Sequence, residues 1–545
     1  MSLSDNRNGE RDAASAAPPE FFNFTRDVIG RWARERPHAT ALWWVDASGR
    51  ESERQYTWHD LADEATLTAS FFHALGLRRG DRVLVVLPRV PEWWLAVLGL
   101  IELGAVPIPG TTLLTEKDLA YRIGAAEVRG IVADQEIARR VPQDFAGVRV
   151  AACSTESTPP GWHNLAEAAV RGRLDFDAGP PTRADDDGIL YFTSGTTGPP
   201  KMVLHTQASC ALGHRVTGAL WLDLKPDDVH WNLADNGWAK AAWSSLFGPW
   251  HQGACLFVWD TRGKFDPAAT LRTLAAYPIT TWCAPPTALR LIVREDLGAY
   301  VFPNLRHCVS AGEPLNPEVI ELWRAATGLT IHDGYGQTET VVLVANFPAS
   351  GKPIRPGAMG WPTPGYDVRV LDAHLRECPP GQTGEVAVRV QPQRPVGIFK
   401  EYWKNPEENA ARFQGDWYLT GDVALRDADG WFWFVGRGDD VIKSSGYRIG
   451  PFEVESALIE HPAVLEAAVV GRPDAERGAL VVAFVVLRRG HAGSPALAAE
   501  LQAHCKQVTA PYKYPREIVF VEALPKTISG KIRRVELREQ AAKRV

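Results

Sequence analysis

The segment Tyr191–Lys201, YFTSGTTGPPK, holds a dense set of residue types that bind an anion. Its glycines let backbone N–H groups converge on one point, its serine and threonine hydroxyls add donors, and Lys201 supplies a point charge. That chemistry suits a polyphosphate. The spacing is not the G-x-x-x-x-G-K-[ST] of a P-loop, so that motif's strand–loop–helix cradle is not implied. Standing alone, a Ser/Thr/Gly loop reads equally as a surface turn, and other segments must decide its role.

Those segments follow downstream: Ser310–Leu315 (SAGEPL), Asp333–Thr340 (DGYGQTET), Tyr418–Asp422 (YLTGD), Gly436–Gly446 (GRGDDVIKSSG) and Pro525–Lys531 (PKTISGK). In this order, they and the 191–201 loop resemble the signatures of the adenylate-forming superfamily of acyl-CoA synthetases, peptide-synthetase adenylation domains and luciferases. The resemblance covers nearly the whole chain after its first residues. The runs SSGYRIGPFEVESAL and VTAPYKYPR look most like the medium-chain acyl-CoA synthetases. It implies an AMP-forming acid–thiol ligase with a small-molecule carboxylic acid, ATP and CoA as substrates and Mg²⁺ as companion ion. A carboxylate attacks the α-phosphate of ATP to give an acyl-adenylate and pyrophosphate; the CoA thiol then displaces AMP. Such chemistry asks the protein mainly to position two anions and neutralise developing charge.

The resemblance also implies roles. Thr193, Ser194, Gly195, Thr196, Thr197, Gly198 and Lys201 would cradle the β- and γ-phosphates, and Gly312, Glu313 and Pro314 would flank the adenine. Asp333, Gly334, Tyr335, Gly336 and Gln337 belong to the ATP-binding stretch, with Tyr335 near the base. Thr338 would touch the α-phosphate and the acyl carboxylate, and Glu339 would hold Mg²⁺. Asp422 would accept both ribose hydroxyls, Arg437 would reach the same region, and Arg448 fits a phosphate contact. Lys531, the expected catalytic lysine beside Thr338 and Glu339, would bridge the carboxylate and the α-phosphate. Because Lys531 lies near the C-terminus, its domain must swing in and away, with Asp439 as the pivot. After rotation Ser445, Gly446 and Tyr447 would line the CoA path, while Arg477 and Lys506 would meet the CoA phosphates. Taken singly, these charged residues read as turn caps or solvated surface.

For the acyl pocket the candidates are Trp238, within the tryptophan-rich segment His230–His251, and Gly336. In acetate-specific relatives a bulky tryptophan closes the pocket just before the QTE of the magnesium motif. Gly336 stands there in this chain, so a medium-chain, branched or aryl acid is expected, within fatty acid metabolism. The alternatives are an adenylation enzyme that loads a carrier protein, an aryl-CoA ligase of benzoate type, and a luciferase-like monooxygenase. Nothing after Lys531 resembles a carrier domain.

These residues need a scaffold to hold them. At 545 residues, 45% hydrophobic and 23% charged, the chain is globular and long enough for several domain-sized units. Lys and Arg number 59 against 65 Asp and Glu, a net charge of −6 without the basic footprint of a nucleic-acid binder. No apolar run is long enough to span a membrane, and the first twenty residues read as a flexible tail without a secretory or mitochondrial leader, so a soluble cytoplasmic protein is expected. The seven scattered cysteines contain no CxxC pair and fit buried, unpaired thiols. A helix over Leu61–Leu75, a strand over Arg82–Leu87, a helix over Glu92–Leu103 and strands at Val106–Pro109 and Gly130–Ala133 predict an α/β body of mainly parallel sheets. Gly384–Val390 alternates and predicts a small antiparallel section. After Gly436–Asp440 the order is helix (Glu453–His461), strands (Leu465–Val470, Leu480–Leu487), helix (Pro495–Val508) and strand (Glu517–Val521), an α+β unit. The expected division is 1–20 tail, 21–435 N-terminal adenylation body, 436–440 hinge and 441–545 C-terminal domain.

Overall fold

Short strands, three of them buried apolar runs followed by a helix, build the first sheet. The computed structural model describes residues 17–47, 53–152, 158–193, 200–261, 263–445, 447–527 and 531–544. The tail to residue 16, Ser194–Gly198 of the phosphate loop and Gly446 fall outside the described residues.

The strands Val106–Pro109, Arg82–Val86, Gly130–Ala133, Val148–Ala151 and His163–Asn164 lie side by side in that order, all parallel. Parallel strands need crossovers, and the helices Trp58–Ala74 and Pro91–Leu103 help to cover the apolar faces. The first of these begins at a capping box: Thr57 accepts from the Asp60 amide, and the Asp60 carboxylate accepts from the Thr57 amide. A nine-stranded sheet follows, with six central parallel strands: Thr40–Asp46, Cys255–Asp260, Val229–Asn232, Thr281–Cys283, His307–Ala311 and Ile331–Gly336. Its edges are antiparallel, with Glu53–Thr57 on one side and Val342–Ala345 and Trp361–Pro362 on the other.

Two antiparallel sheets complete the body. Asp187–Thr193 and Lys201–Thr206 form a hairpin whose ends, Thr193 and Lys201, are register partners. Glu401–Tyr402 adds a third strand. The anion loop is therefore the tip of a hairpin. The other sheet contains Val368–Leu371, Thr383–Arg389, Trp417–Arg426, Phe413–Gln414 and Phe432–Arg437. Residues from Ile442 onward pack around two apolar clusters of their own. They comprise the ribbon Ile442–Ser444/Tyr447–Ile449, a sheet of Val464–Asp474, Gly478–Leu487 and Glu517–Phe520, and the helices Pro451–Ile459, Pro495–Val508 and Arg534–Ala542. The sequence reading missed the last helix, which buries only Leu537 and Ala541 and so carries little apolar periodicity.

Most of the tryptophan surplus is core: Trp58, Trp93, Trp94, Trp221, Trp231, Trp250, Trp282 and Trp323 are fully buried. Of the nominated tryptophan-rich segment, Trp231, Trp243 and Trp250 belong to that core, while Trp238 is half-buried ahead of the helix Ala239–Ser244. The described cysteines are all unpaired and buried. Among the described residues no helix is long and apolar enough to cross a membrane.

Burial also holds several histidines neutral. His205 and His230 are pushed down to about 4, and His251 and His307 to about 3, each chiefly by loss of solvent. An unfolded histidine titrates near 6.5. Below that pH the unfolded chain binds more protons than the folded one, so this contribution is complete above about 6.5 and declines as the pH falls toward 4. A thermal melt series from pH 7.5 to 5 should show a midpoint that is flat above about 6.5 and drops steadily below it. A midpoint unchanged to pH 5 would contradict neutral burial of these rings.

Candidate active site

The carboxylate of Asp422, on strand Trp417–Arg426, joins the large sheet to the antiparallel one. It is 6% exposed, and its Oδ2 accepts from the Tyr335 hydroxyl at 2.7 Å and from Gln337 Nε2 at 2.7 Å. Gln337 Nε2 also donates to Thr420 O at 2.9 Å, and its Oε1 accepts from the Tyr418 hydroxyl at 3.0 Å. Arg437 Nε stands 3.6 Å from Asp422 Oδ1. Burial, then the Asp422 charge, drives the Tyr335 phenol well up, so it remains a donor. For Arg437 burial works against the charge, but Asp422 and Asp439 outweigh it.

The turn after Gly336 is pinned from three directions. His205 Nε2 meets Thr338 O at 2.7 Å while its Nδ1 lies 3.2 Å from Ser209 Oγ. Because the ring is neutral, Nε2–H donates to the carbonyl and Nδ1 accepts from the serine. The Phe399 amide donates to Glu339 O at 2.8 Å, and the Tyr402 hydroxyl donates to Glu339 Oε1 at 2.8 Å. Burial raises the Glu339 pKa and the Tyr402 hydrogen bond partly offsets this. On the other side of Tyr402, Lys201 Nζ stands 5.3 Å from the ring centroid and is bonded to Glu408, which also accepts from Arg412 Nε at 2.9 Å. One tyrosine thus separates the lysine of the phosphate hairpin from the acid expected to hold Mg²⁺. Mg²⁺ takes one or two carboxylates plus phosphates and water. Among the described residues no cluster of three side chains could hold a metal unaided. The residues present fit an ion that arrives with the nucleotide.

The expected adenine loop sits beside this turn. Gly312 has φ +97°, and a Cβ there would lie 2.1 Å from Lys240 Cε. Glu313 pairs with Arg290 at 3.2 Å, and Pro314 is half-buried next to it. Asp333 accepts the amides of Gly334, at 3.0 Å, and Leu315, and burial pushes it up to about 8. It therefore pegs the loop to the strand. Gly334 faces the Trp221 ring, 2.6 Å from where a Cβ would be. A Cβ at Gly336 would lie 2.3 Å from Val341 O. Glycine there is demanded by the returning backbone, a reason independent of any acyl chain, and a side chain could enter only if residues 341–342 moved.

Lys531 closes a short loop: Lys526 bridges Ile532, the Thr527 amide donates to Lys531 O at 2.7 Å, and the Lys531 amide donates to Thr527 Oγ1 at 3.1 Å. The next helix fixes that loop to the pivot region. Arg534 Nη2 donates to Glu455 at 2.6 and 2.8 Å, and Arg538 Nη1 donates to Asp440 at 2.7 Å, one residue past Asp439. Across the boundary Asn316 Nδ2 donates to Ser456 Oγ at 3.0 Å and Arg294 Nη2 to Leu465 O at 3.0 Å. This docking brings Lys531 within electrostatic reach of Lys240, hence into the nucleotide region.

The expected CoA residues gather on the C-terminal unit. The Ser445 amide donates to Arg477 O at 2.8 Å, and exposed Tyr447 stacks on Tyr512 at 4.1 Å and 17°. Lys506 lies 4.1 Å from the ring of Tyr514, which Arg516 also covers at 3.9 Å. Arg448, expected at a phosphate, is exposed and acts electrostatically on Cys378 of the antiparallel section. Sequence reasoning missed Tyr402, His205, Glu408, Tyr512 and Lys240. The first four reach their partners across long sequence separations. Lys240 had a local signal, as the sole formal charge between Trp238 and His251.

Comparison with known proteins agrees with this geometry. The family model described as AMP-binding enzyme matches residues 29–403, and AMP-binding enzyme C-terminal domain matches 453–531. Acyl-coenzyme A synthetase ACSM3, mitochondrial, of Mus musculus is 47% identical over 533 residues, 96% of this chain and 91% of the relative. Acyl-coenzyme A synthetase ACSM5, mitochondrial, of Homo sapiens is 47% identical with the same coverage. Among solved structures, the anthranilate CoA ligase AuaEII in complex with anthranoyl-AMP superposes with a TM-score of 0.86 at 30% identity, covering 99% of both chains. A benzoate CoA ligase from Burkholderia xenovorans gives 0.82 at 31% identity, over 95% of this chain and 100% of that one. The mitochondrial designation of the relatives overturns the cytoplasmic location expected from the sequence.

Tyr402→Phe removes the hydrogen bond to Glu339 and keeps the ring. Loss of a hydrogen bond to a charged group, about 1.5–3 kcal/mol, should raise the KM for MgATP roughly tenfold to a hundredfold with little change in Tm. An unchanged MgATP dependence would show that Tyr402 does not hold Glu339 for the nucleotide.

Proposed function

The chain belongs to the AMP-binding enzyme family and is an AMP-forming acid–CoA ligase, and from that premise we propose how its residues divide the reaction. The observation that carries the reading is the convergence of Tyr335, Gln337 and Arg437 on Asp422, with the Thr338–Glu339 turn and Lys201 alongside. Asp422 and Arg437 bind the ribose, the loop Gly312–Pro314 and Tyr335 take the adenine, and the hairpin from Thr193 to Lys201 takes the terminal phosphates. Binding of triphosphate draws Lys201 away from Glu408, which keeps Arg412 as its partner. Glu339 would hold Mg²⁺, whose charge there offsets that of the phosphates.

In the first half-reaction a carboxylate oxygen of the acid attacks the α-phosphorus, and the bond to pyrophosphate breaks. Thr338 and Lys531 hold the two reacting anions together and neutralise their repulsion. In the second, the CoA sulfur attacks the acyl carbon, its proton is lost, and the bond to AMP breaks. For that step the unit beyond Asp439 turns, replacing Lys531 with the face of Ser445, Tyr447, Arg477 and Lys506; the exposed Tyr447–Tyr512 stack supports adenine recognition there. The division into a body to residue 435, a hinge at 436–440 and a mobile unit from 441 belongs to this proposal. The acid is a medium-chain, branched or aryl carboxylate, a reading supported by the names of the relatives above.

Lys531→Ala separates the half-reactions. Acid-dependent pyrophosphate release should fall by about a hundredfold or more. Thioester formation from supplied acyl-AMP and CoA should survive largely intact. Equal loss in both steps would overturn the assignment.

A further inference from the structure

Lys240 lies in the first turn of the helix Ala239–Ser244, immediately after the half-buried Trp238. It is a lysine in a stretch that otherwise builds core: Ala241, Ala242, Trp243, Leu246 and Phe247 are all buried. Its side chain runs across Gly312, where a Cβ would stand 2.1 Å from Cε and 2.5 Å from Nζ. The left-handed φ of Gly312 favours glycine at that position, and the lysine occupies the space a side chain there would take. Among the described residues no hydrogen bond or ion pair takes the Lys240 ammonium.

Its electrostatic surroundings are uneven. Burial lowers the Lys240 pKa first and the Lys531 charge lowers it further, with Glu313 and Cys283 acting the other way. Glu313 is already engaged by Arg290 at 3.2 Å. Two ammoniums thus share one region with an acid that has another partner. Lys240 is half-buried, and a partly desolvated ammonium without an acceptor is unfavourable, the more so beside a second like charge. An anion placed between the two lysines removes both penalties.

The geometry points to Lys240 as a substrate-binding residue that holds the carboxylate of the acid from the body side, opposite Lys531. This rests on the placement of Lys531 in the first half-reaction proposed above. The carboxylate fits better than a terminal phosphate, because Lys201 serves the phosphates from different elements, next to Tyr402 and Glu408. Lys240 also neighbours the apolar cluster of Trp221, Trp243, Cys283 and Val309, in whose direction an acyl chain would run from a carboxylate held here. Lys240 stays with the body when the C-terminal unit turns. The acid is therefore bound before Lys531 arrives, and it keeps a cation beside it until formation of the mixed anhydride with AMP removes its charge.

Lys240→Met keeps an unbranched stem one atom shorter and deletes the charge; Lys240→Arg keeps the charge. With hexanoate or benzoate as substrate, acid-dependent pyrophosphate release by Lys240→Met should show a KM for the acid raised about tenfold to a hundredfold. The KM for MgATP should stay within about twofold, and Lys240→Arg should recover part of the loss. Thioester formation from supplied acyl-AMP should also stay within about twofold, because the mixed anhydride has no carboxylate to bind. An unchanged KM for the acid, an equal rise for acid and MgATP, or a parallel loss of both half-reactions with a lower Tm would overturn the inference. If Lys240→Met does not fold, Lys240→Gln is measured by the same criteria. A wild-type enzyme that releases pyrophosphate with neither acid would overturn the proposed substrate class, and equal loss of both half-reactions in Lys531→Ala would overturn the placement of Lys531; both are distinct from a normal wild type and an indifferent Lys240→Met.

Discussion

Asp422 is the point on which the active centre is assembled. Its buried carboxylate accepts from Tyr335 and Gln337, which end the sixth central strand of the large sheet, and it faces Arg437, which leads into the pivot. A carboxylate withdrawn from water needs donors on its oxygens, so the two sheets and the hinge segment must meet there. The same requirement leaves it aimed at a ligand with hydroxyl donors. The junction adds to the backbone bridge between Gly360 and Phe432, which also joins the large sheet to the antiparallel one.

A second joint distributes charge around the reacting groups. Tyr402 touches Glu339 through its hydroxyl and Lys201 through its ring. Its strand pairs directly with the hairpin strand that starts at Lys201. A change at the phosphate end is thus transmitted to the turn bearing Thr338 and Glu339 through one rigid side chain. His205, on the same hairpin strand as Lys201, reaches that turn too, where neutrality makes it a fixed donor to the Thr338 carbonyl. Cationic side chains then approach from opposite sides: Lys240 from the body and Lys531 from the C-terminal unit. Ion pairs of half-buried Arg534 with buried Glu455 and of Arg538 with Asp440 tie the Lys531 loop to the residue after Asp439.

Much of this was legible in the order of residues alone. The spacing of the glycine, hydroxyl and charged residues in the motifs, and the alternation of apolar runs with helical patterns, led to the family, the α/β body and the small α+β unit. Strands such as Val106–Pro109 and Gly130–Ala133 fall where local pattern puts them, because a fully buried parallel strand announces itself by an unbroken apolar run. The helix Arg534–Ala542 was not legible, since it is held mainly by ion pairs to Glu455 and Asp440 rather than by an apolar stripe. The location assigned from composition failed for a different reason: an address is read by other proteins and leaves little trace in folding chemistry.

Sequence by itself determined which chemical groups are present, because anion binding depends on residue types at close spacing. It also placed a glycine, Gly336, directly before the QTE. Only the tertiary structure decided what those groups face. Gly336 abuts the Val341 carbonyl, Asp333 holds backbone amides, Arg448 is left exposed, and Lys240 lies across Gly312 within electrostatic reach of Lys531. Each of these depends on a neighbour brought near by packing or by a strand pair, and the direction of a side chain is set by the element that carries it. A motif specifies donors and charges; the fold specifies which of them remain for a ligand after the protein has satisfied its own buried groups.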